Sequence, residues 1–338
     1  MSRTAFARFA AAIAVLTLVV VVLGAYVRLS DAGLGCPDWP GCYGRLVAPT
    51  SAEAVAAANA VHPARPVHTA KAWKEMVHRY VASALGLAIL VLAAVAWRRR
   101  DHGLPVALPT TLLVLVVFQG LLGMWTVTHL VNPAIVTAHL AGALATLMLA
   151  WWLALRTGGW LLATGERRAP LLRPVAIGAF ALVALQILLG GWTSTHYAAL
   201  ACPEFPTCHG GLWWPPADFA AGFSPWRPLG VDYEFGTLDS PARTAIHLAH
   251  RIGALAVLVA VGALAIRVMR AAPALPQRRL GALLLTVLAA QVALGIGNVL
   301  GRLALPVAVA HTAGAAILLA TVLTLIHSLT PLRREPGA

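Results

Sequence analysis

Eight long apolar segments, parted by short clusters of arginine, dictate what this chain can become. They run roughly over residues 8–29, 75–97, 106–128, 134–155, 171–195, 243–267, 279–300 and 306–328. Each is close to the ~20 residues that an α-helix needs to cross a hydrocarbon core. Only 11% of the 338 residues are charged and 59% are hydrophobic. Soluble domains carry about 25% charged residues, so no water-facing surface can be built from this inventory. An excess of 25 Lys and Arg over 12 Asp and Glu would suit a nucleic-acid partner, but its confinement to loops between apolar runs excludes one. The first segment resembles a secretory leader. Its apolar run from Phe9 to Leu23 continues into Gly24-Ala25-Tyr26-Val27-Arg28 with no small-residue cleavage site, and it is read as an uncleaved span. The expected fold is an all-α polytopic membrane protein with eight transmembrane helices.

Charge sets the expected orientation. The N-terminus and the loops after even-numbered spans hold Arg3, Arg8, Arg98, Arg99, Arg100, Arg156, Arg167, Arg168, Arg173, Arg267, Arg270, Arg278, Arg279, Arg333 and Arg334. Against these fifteen cations stand three acids, Asp101, Glu166 and Glu335. The opposite side carries ten cations and nine acids in two much longer loops. By the positive-inside rule both termini are cytoplasmic. Cys36, Cys42, Cys202 and Cys208 then lie outside, as two pairs each spaced by six. An oxidising compartment permits a local disulfide in each loop, Cys36–Cys42 and Cys202–Cys208. The spacing does not suit zinc, and there is no C-x-x-C-H haem-attachment site.

The chain repeats itself. Cys36-Pro-Asp-Trp-Pro-Gly-Cys42-Tyr-Gly44 returns as Cys202-Pro-Glu-Phe-Pro-Thr-Cys208-His-Gly210, at an offset of 166. His78-Arg79, Gln119, Gly123 and His139-x-x-Gly142 return as His250-Arg251, Gln291, Gly295 and His311-x-x-Gly314, all at 172. A duplication explains one offset held over several landmarks. Each half has four spans, an even number, so both enter the membrane in the same direction. Two tandem four-helix bundles, 1–165 and 166–338, are expected about a pseudo-two-fold axis along the membrane normal.

His78, His139, His250 and His311 fall at one depth, ~5–10 Å below the external ends of spans 2, 4, 6 and 8 at 1.5 Å per residue. Histidine inside a span is costly and usually faces a partner or cofactor. Two per bundle, on different helices, are what bis-imidazole ligation of a haem iron requires. The alternative is four histidines hydrogen-bonded across helices. Arg79 and Arg251 could hold haem propionates or simply snorkel to the interface. His62, His68, His102, His129, His196, His209 and His327 lie in loops or at span ends, where interfacial placement explains them.

The halves differ one turn before their first histidine. Glu75 precedes His78 by three residues, where His247 precedes His250, so each shares a helix face with its neighbour. A carboxylate there suits proton transfer near a reacting group; the other reading is a first-turn acid favouring the helix dipole.

Gly33-Leu34-Gly35-Cys36-Pro37-Asp38-Trp39-Pro40-x-Cys42-x-Gly44, Glu75-x-x-His78-Arg79, His139, His250-Arg251 and His311, taken in order over nearly the whole chain, resemble the haem A synthase family, in its bacterial cysteine-containing type. The resemblance implies an oxidoreductase that converts the C8 methyl of haem O to a formyl group by successive hydroxylations, supplying haem A to terminal oxidases. It implies a b-type haem on His250 and His311, haem O or haem A on His78 and His139, and Glu75 as the essential carboxylate. The cysteine pair of the first loop, Cys36 and Cys42, is associated in that family with redox function. The implied partners are haem O, handed over by the enzyme that makes it, an external electron donor or acceptor, and membrane lipid; a homo-oligomer is compatible with this architecture. The implied location is the bacterial inner membrane, with the haem sites toward the external side. Two other classes fit parts of the pattern. A b-type electron carrier would use all four histidines but not Glu75. A parallel-repeat transporter would place its site at the bilayer midplane on broken helices, whereas these histidines are shallow.

Overall fold

The computed structural model describes residues 2–160, 169–271 and 275–330. The expected cytoplasmic charges Glu166, Arg167, Arg168, Arg333, Arg334 and Glu335, and the 165/166 boundary, lie outside the described residues. The described chain is helical: α1 (Arg3–Leu29), α2 (Ala52–Val61), α3 (Thr69–Arg98), α4 (Ala107–Thr128), α5 (Pro133–Gly158), α6 (Ala169–Thr195), α7 (Phe219–Gly222), α8 (Ser240–Ala271), α9 (Leu275–Leu300) and α10 (Leu305–Ser328). Eight of these are long and apolar enough to cross a membrane. Their most apolar windows are at most half buried inside the protein. Val15, Val114, Leu185 and Val259 are each more than 60% exposed. In water such surface would be expelled; its proper solvent is lipid.

Local chemistry sets the ends. Ser2 Oγ accepts from the Ala5 N–H to start α1, and Asn132 Oδ1 accepts from Ala134 with Pro133 at the first helical position of α5. Inside the apolar bundle, buried hydroxyls bond the carbonyl four residues back, as Thr17 does to Ile13 and Thr157 to Leu153. That satisfies a polar group without a partner helix. α3 begins at Thr69, six residues before the apolar run at 75. Hydropathy marks where a helix enters lipid, whereas hydrogen bonding lets it start earlier, among polar residues. The loop helices α2 and α7 likewise carry no membrane signal.

α1, α3, α4 and α5 pack in a closed ring, each against two neighbours, and α6, α8, α9 and α10 do the same. The rings meet where α1 and α5 lie against α10, and α5 against α6. Exchanging the halves (α1 with α6, α5 with α10) maps these contacts onto one another. Two tandem bundles would give this pattern. At the seam, residues at equivalent repeat positions touch: the Tyr197 hydroxyl donates to Asp31 at 3.0 Å, and Arg28 donates to the Ser194 carbonyl at 2.6 Å. Asp31 and Tyr197 both take positive φ, 48° and 53°. So do the α4–α5 turn at Leu130 and Val131 and the α9–α10 turn at Arg302 and Leu303. Outside the membrane, the second long loop crosses to the first half. Tyr233 is buried with Leu34, Val127 and Val131, and its N–H donates to the Leu130 carbonyl at 3.1 Å. Arg65 pairs with Asp232 at 2.6 Å and Glu234 at 3.4 Å.

Candidate functional site

The four histidines come from α3, α5, α8 and α10, one helix pair per ring. α3 and α5 stand across the first ring from one another, as α8 and α10 do across the second. Each imidazole lies against a glycine of an adjacent helix. A methyl group built on Gly24 would stand 3.1 Å from Cε1 of His78, and on Gly190 3.2 Å from Cε1 of His250. Gly123 and Gly295 stand in the same relation to His139 and His311, at 3.5 and 3.1 Å. Three of the glycines are therefore part of the site: a side chain at Gly24, Gly190 or Gly295 would crowd its ring, whereas a methyl group at Gly123 would make ordinary contact. Gly24 and Gly190 were invisible to the sequence reading, although their offset of 166 matches that of the cysteine loops. Nδ1 of His78, His139 and His311 is buried with no hydrogen-bond partner among the described residues.

Above the histidines, toward the loops, sit the disulfides. Cys36 is bonded to Cys42, and Cys202 to Cys208. Each six-residue loop is closed by its own acid. Asp38 accepts the Tyr43 and Gly44 N–H groups at 2.6 and 2.7 Å. Glu204 accepts those of Gly210 and Gly211 at 2.9 and 3.0 Å, with the Thr207 hydroxyl at 3.0 Å. These donors hold the half-buried Glu204 carboxyl below the ordinary carboxylate range.

The arginines after the first histidines reach these loops. Arg79 donates to the carbonyls of Asp38, Pro40 and Gly41. Arg251 donates to those of Cys202, Glu204, Pro206 and Thr207. Both guanidiniums are thus spent chiefly on backbone. A guanidinium suits this because its fork presents several fixed donors at once.

Glu75 is 4% exposed, pairs with Arg79, and accepts the Cys36 N–H at 2.9 Å. It therefore joins the disulfide to the helix turn that carries His78. His247, also 4% exposed, takes the same place in the other half. Its Nδ1 lies 3.0 Å from the Ala198 carbonyl and 3.4 Å from the Cys202 N–H. The frame is common to both halves and the titratable group is not. A surface cleft of about 480 Å³ between the long loops, lined by Gly35, Tyr43, Arg65, Lys71 and Glu234 among others, includes none of the four span histidines. Burial and the neighbouring Glu75 push the Tyr43 phenol above its ordinary value.

Among curated proteins the chain is 42% identical over 315 residues to the haem A synthase of Shewanella oneidensis, covering 93% of this chain and 94% of that protein. It is 30% identical to the haem A synthase of Caulobacter sp. strain K31, with 92% of each chain covered. A third relative, the haem A synthase of Novosphingobium aromaticivorans, is 30% identical over 96% of this chain and 95% of its own. The model of the COX15-CtaA family, described as cytochrome oxidase assembly protein, matches residues 7–323. With that match spanning both helix rings and both disulfide loops, the chain belongs to the COX15-CtaA family of cytochrome oxidase assembly proteins.

Proposed function

We propose that this chain is a haem A synthase, a multi-pass membrane oxidoreductase that takes haem O as substrate and releases haem A. The overall change replaces a methyl by a formyl group. Two successive hydroxylations of the C8 methyl give a gem-diol, and loss of water leaves the aldehyde. Counted with one water for the oxygen gained, the change gives up four electrons and four protons, and an electron acceptor outside the chain takes the electrons. The observation that carries the site assignment is Glu75: a buried carboxylate one turn from His78, tied to Arg79 and Cys36, with imidazole at the matching place in the other half.

The N-terminal half is the reaction site on this reading. His78 and His139 hold the iron of haem O from two helices. Glu75 stands at the external edge of that site, where its free valence can take up or return the proton displaced at the methyl carbon. Arg79 fixes the carboxylate and stabilises its charged form, so that the proton passes through a positioned group rather than bulk water. The apolar walls of the ring leave the farnesyl tail of haem O a place between helices or in lipid.

The C-terminal half is assigned a resident b-type haem on His250 and His311. The donor set supports it: two imidazoles from different helices, each lying against a glycine, with the His311 Nδ1 buried and unpartnered. Among the described residues no three His, Cys, Asp or Glu side chains converge as an ion site, and a bare ion would need that many. Bound there, such a haem supplies one-electron redox chemistry. Arg79 and Arg251 serve first as loop clamps, and any propionate contact would be made with donors left over from the carbonyls. The charge asymmetry supports cytoplasmic termini, external haem sites and residence in the bacterial inner membrane. Haem O handed over by its synthase and an electron donor or acceptor complete the partners.

Expressing the chain in a host that makes haem O but lacks its own synthase, then resolving extracted haems by chromatography, tests the proposal. Haem A should appear only with the chain present. Haem O unchanged, with the protein folded in the membrane, would end it.

A further inference from the structure

Three of the four span histidines carry the same pair of neighbours, and the fourth lacks it. Gln119 on α4 donates from Nε2 to the His139 carbonyl at 2.9 Å. Gln291 on α9 donates to that of His311 at 3.0 Å, and Gln186 on α6 to that of His250 at 2.9 Å. Nε2 of Gln186 also lies 3.1 Å from the His250 Nδ1. In each case the amide oxygen lies over a glycine three residues after the histidine: Gly142, Gly314 and Gly253. A methyl group built on any of them would collide with that oxygen.

At His78 the pair is gone. Gly24 and Gly190 stand alike to His78 and His250, and this fixes the register between α1 and α6. Val20 then answers to Gln186, and Val81 to Gly253. The two replacements belong together, because a side chain at 81 fills the volume the amide would need. Valine at 20 has nothing to donate. Between helices in lipid, an amide–carbonyl bond adds a modest tie. His139, His250 and His311 are fastened this way. Among the described residues no amide reaches the His78 carbonyl from the neighbouring helix, and Val20 stands where the glutamine would be. The Glu75 and Arg79 ties fix the loop above that turn and leave this place open.

We propose that His78 is the ligand that lets go. Haem O enters and haem A leaves the N-terminal half as the His78 nitrogen parts from the iron, keeping its electron pair, while His139 and both ligands of the other half stay. The step needs no oxidant, reductant or proton. It rests on the two-site reading above and adds which bond opens. It also accounts for paired valines at the one histidine that neighbours Glu75.

Haem release separates the cases. Full-length protein purified from a host that makes haem O is mixed with excess apomyoglobin, and the haems remaining on it are extracted and resolved over time. Wild-type protein should lose haem O and haem A faster than haem b. Val20→Gln with Val81→Gly should slow loss of haems O and A by roughly fivefold, the factor of about one net hydrogen bond, and leave haem b alone. The reverse exchange, Gln186→Val with Gly253→Val, should speed loss of haem b by a similar factor. If one exchange fails to fold, the other still decides. Release rates unmoved by an exchange that folds, or equal for both haems in the wild type, would overturn the proposal while the two-site reading stood. Absence of haem b, or its survival in His250→Ala, would instead remove the reading itself.

Discussion

In the first half, Arg79 gathers the carbonyls of Asp38, Pro40 and Gly41 together with the Glu75 carboxylate; in the second, Arg251 gathers those of Cys202, Glu204, Pro206 and Thr207 and, among the described residues, pairs with no carboxylate. The loops share a disulfide, an acid accepting turn N–H groups, and an arginine clamp. Because the clamp grips backbone carbonyls, it tolerates changes in the side chains around it. That freedom lets one position hold a carboxylate in one half and an imidazole in the other without altering the frame. Function can therefore diverge at a single turn of helix while the fold stays duplicated.

Removing ligands from one half only is the strongest way to break the comparison. His250→Ala or His311→Ala should abolish the low-spin b-type spectrum of the purified protein, while the first disulfide loop stays closed. A normal bis-imidazole spectrum in both variants would show that the second half does not hold that haem. The next effect falls on Glu75. Glu75→Gln keeps the shape and can still accept the Cys36 N–H, but it loses the charge and the exchangeable proton. Loss of one acid–base group typically costs ~10²–10⁴ in rate, so haem A output should collapse with haem b retained. His247→Gln should be much milder. Near-normal haem A from Glu75→Gln would return that carboxylate to a helix-dipole role.

Arg79→Lys and Arg251→Lys sharpen the same contrast at a smaller scale. Lysine cannot span three carbonyls and a carboxylate at once. One charge-assisted hydrogen bond is worth about 1.5–3 kcal/mol, so Arg79→Lys should lower haem A output roughly tenfold or more. Arg251→Lys loosens a loop whose arginine holds no counterpart of Glu75 and should lower it far less. Equal losses from the two variants, measured by haem chromatography, would mean that the clamps serve only the loops.

Much of this was legible in the chain, because lipid and duplication both write long-range order into short patterns. Eight spans follow from hydropathy, and the histidine set from a shared offset. The pairing of Cys36 with Cys42 and Cys202 with Cys208 follows from spacing within one loop. What stayed hidden is contact between distant segments. Nothing local says that Arg79 bends to the Asp38 carbonyl, or that Tyr233 of the second loop settles on Leu130 of the first half. Gln119 and Gly142 were visible as repeat landmarks, but their meeting across α4 and α5 was not. The start of α3 at Thr69 escaped for a different reason: its polar first turns are helical without being apolar.

The smallest expected effect lies in the acids that close the two loops. The N–H groups of Gly211 and Gly210 and the Thr207 hydroxyl hold the half-buried Glu204 carboxyl below the ordinary 4.5. A group whose folded value is depressed stabilises above its unfolded value and loses that contribution as pH falls through the folded one. The second loop should therefore tighten above pH 4.5 and loosen below it. Hydrogen exchange read by mass spectrometry should show protection at Gly210 and Gly211 falling in that window, with the neighbouring disulfide intact. Glu204→Gln retains an acceptor but not the charge. It should lower protection by a few-fold at neutral pH, about the worth of one weakened hydrogen bond, and flatten the acid dependence. Haem A output should not change, because this loop fixes no proton-transferring group. Protection that ignores both the substitution and acid would show that the Cys202–Cys208 bond and Arg251 hold the loop without its carboxylate. A fall in haem A would show instead that the second loop, like the first, reaches the chemistry.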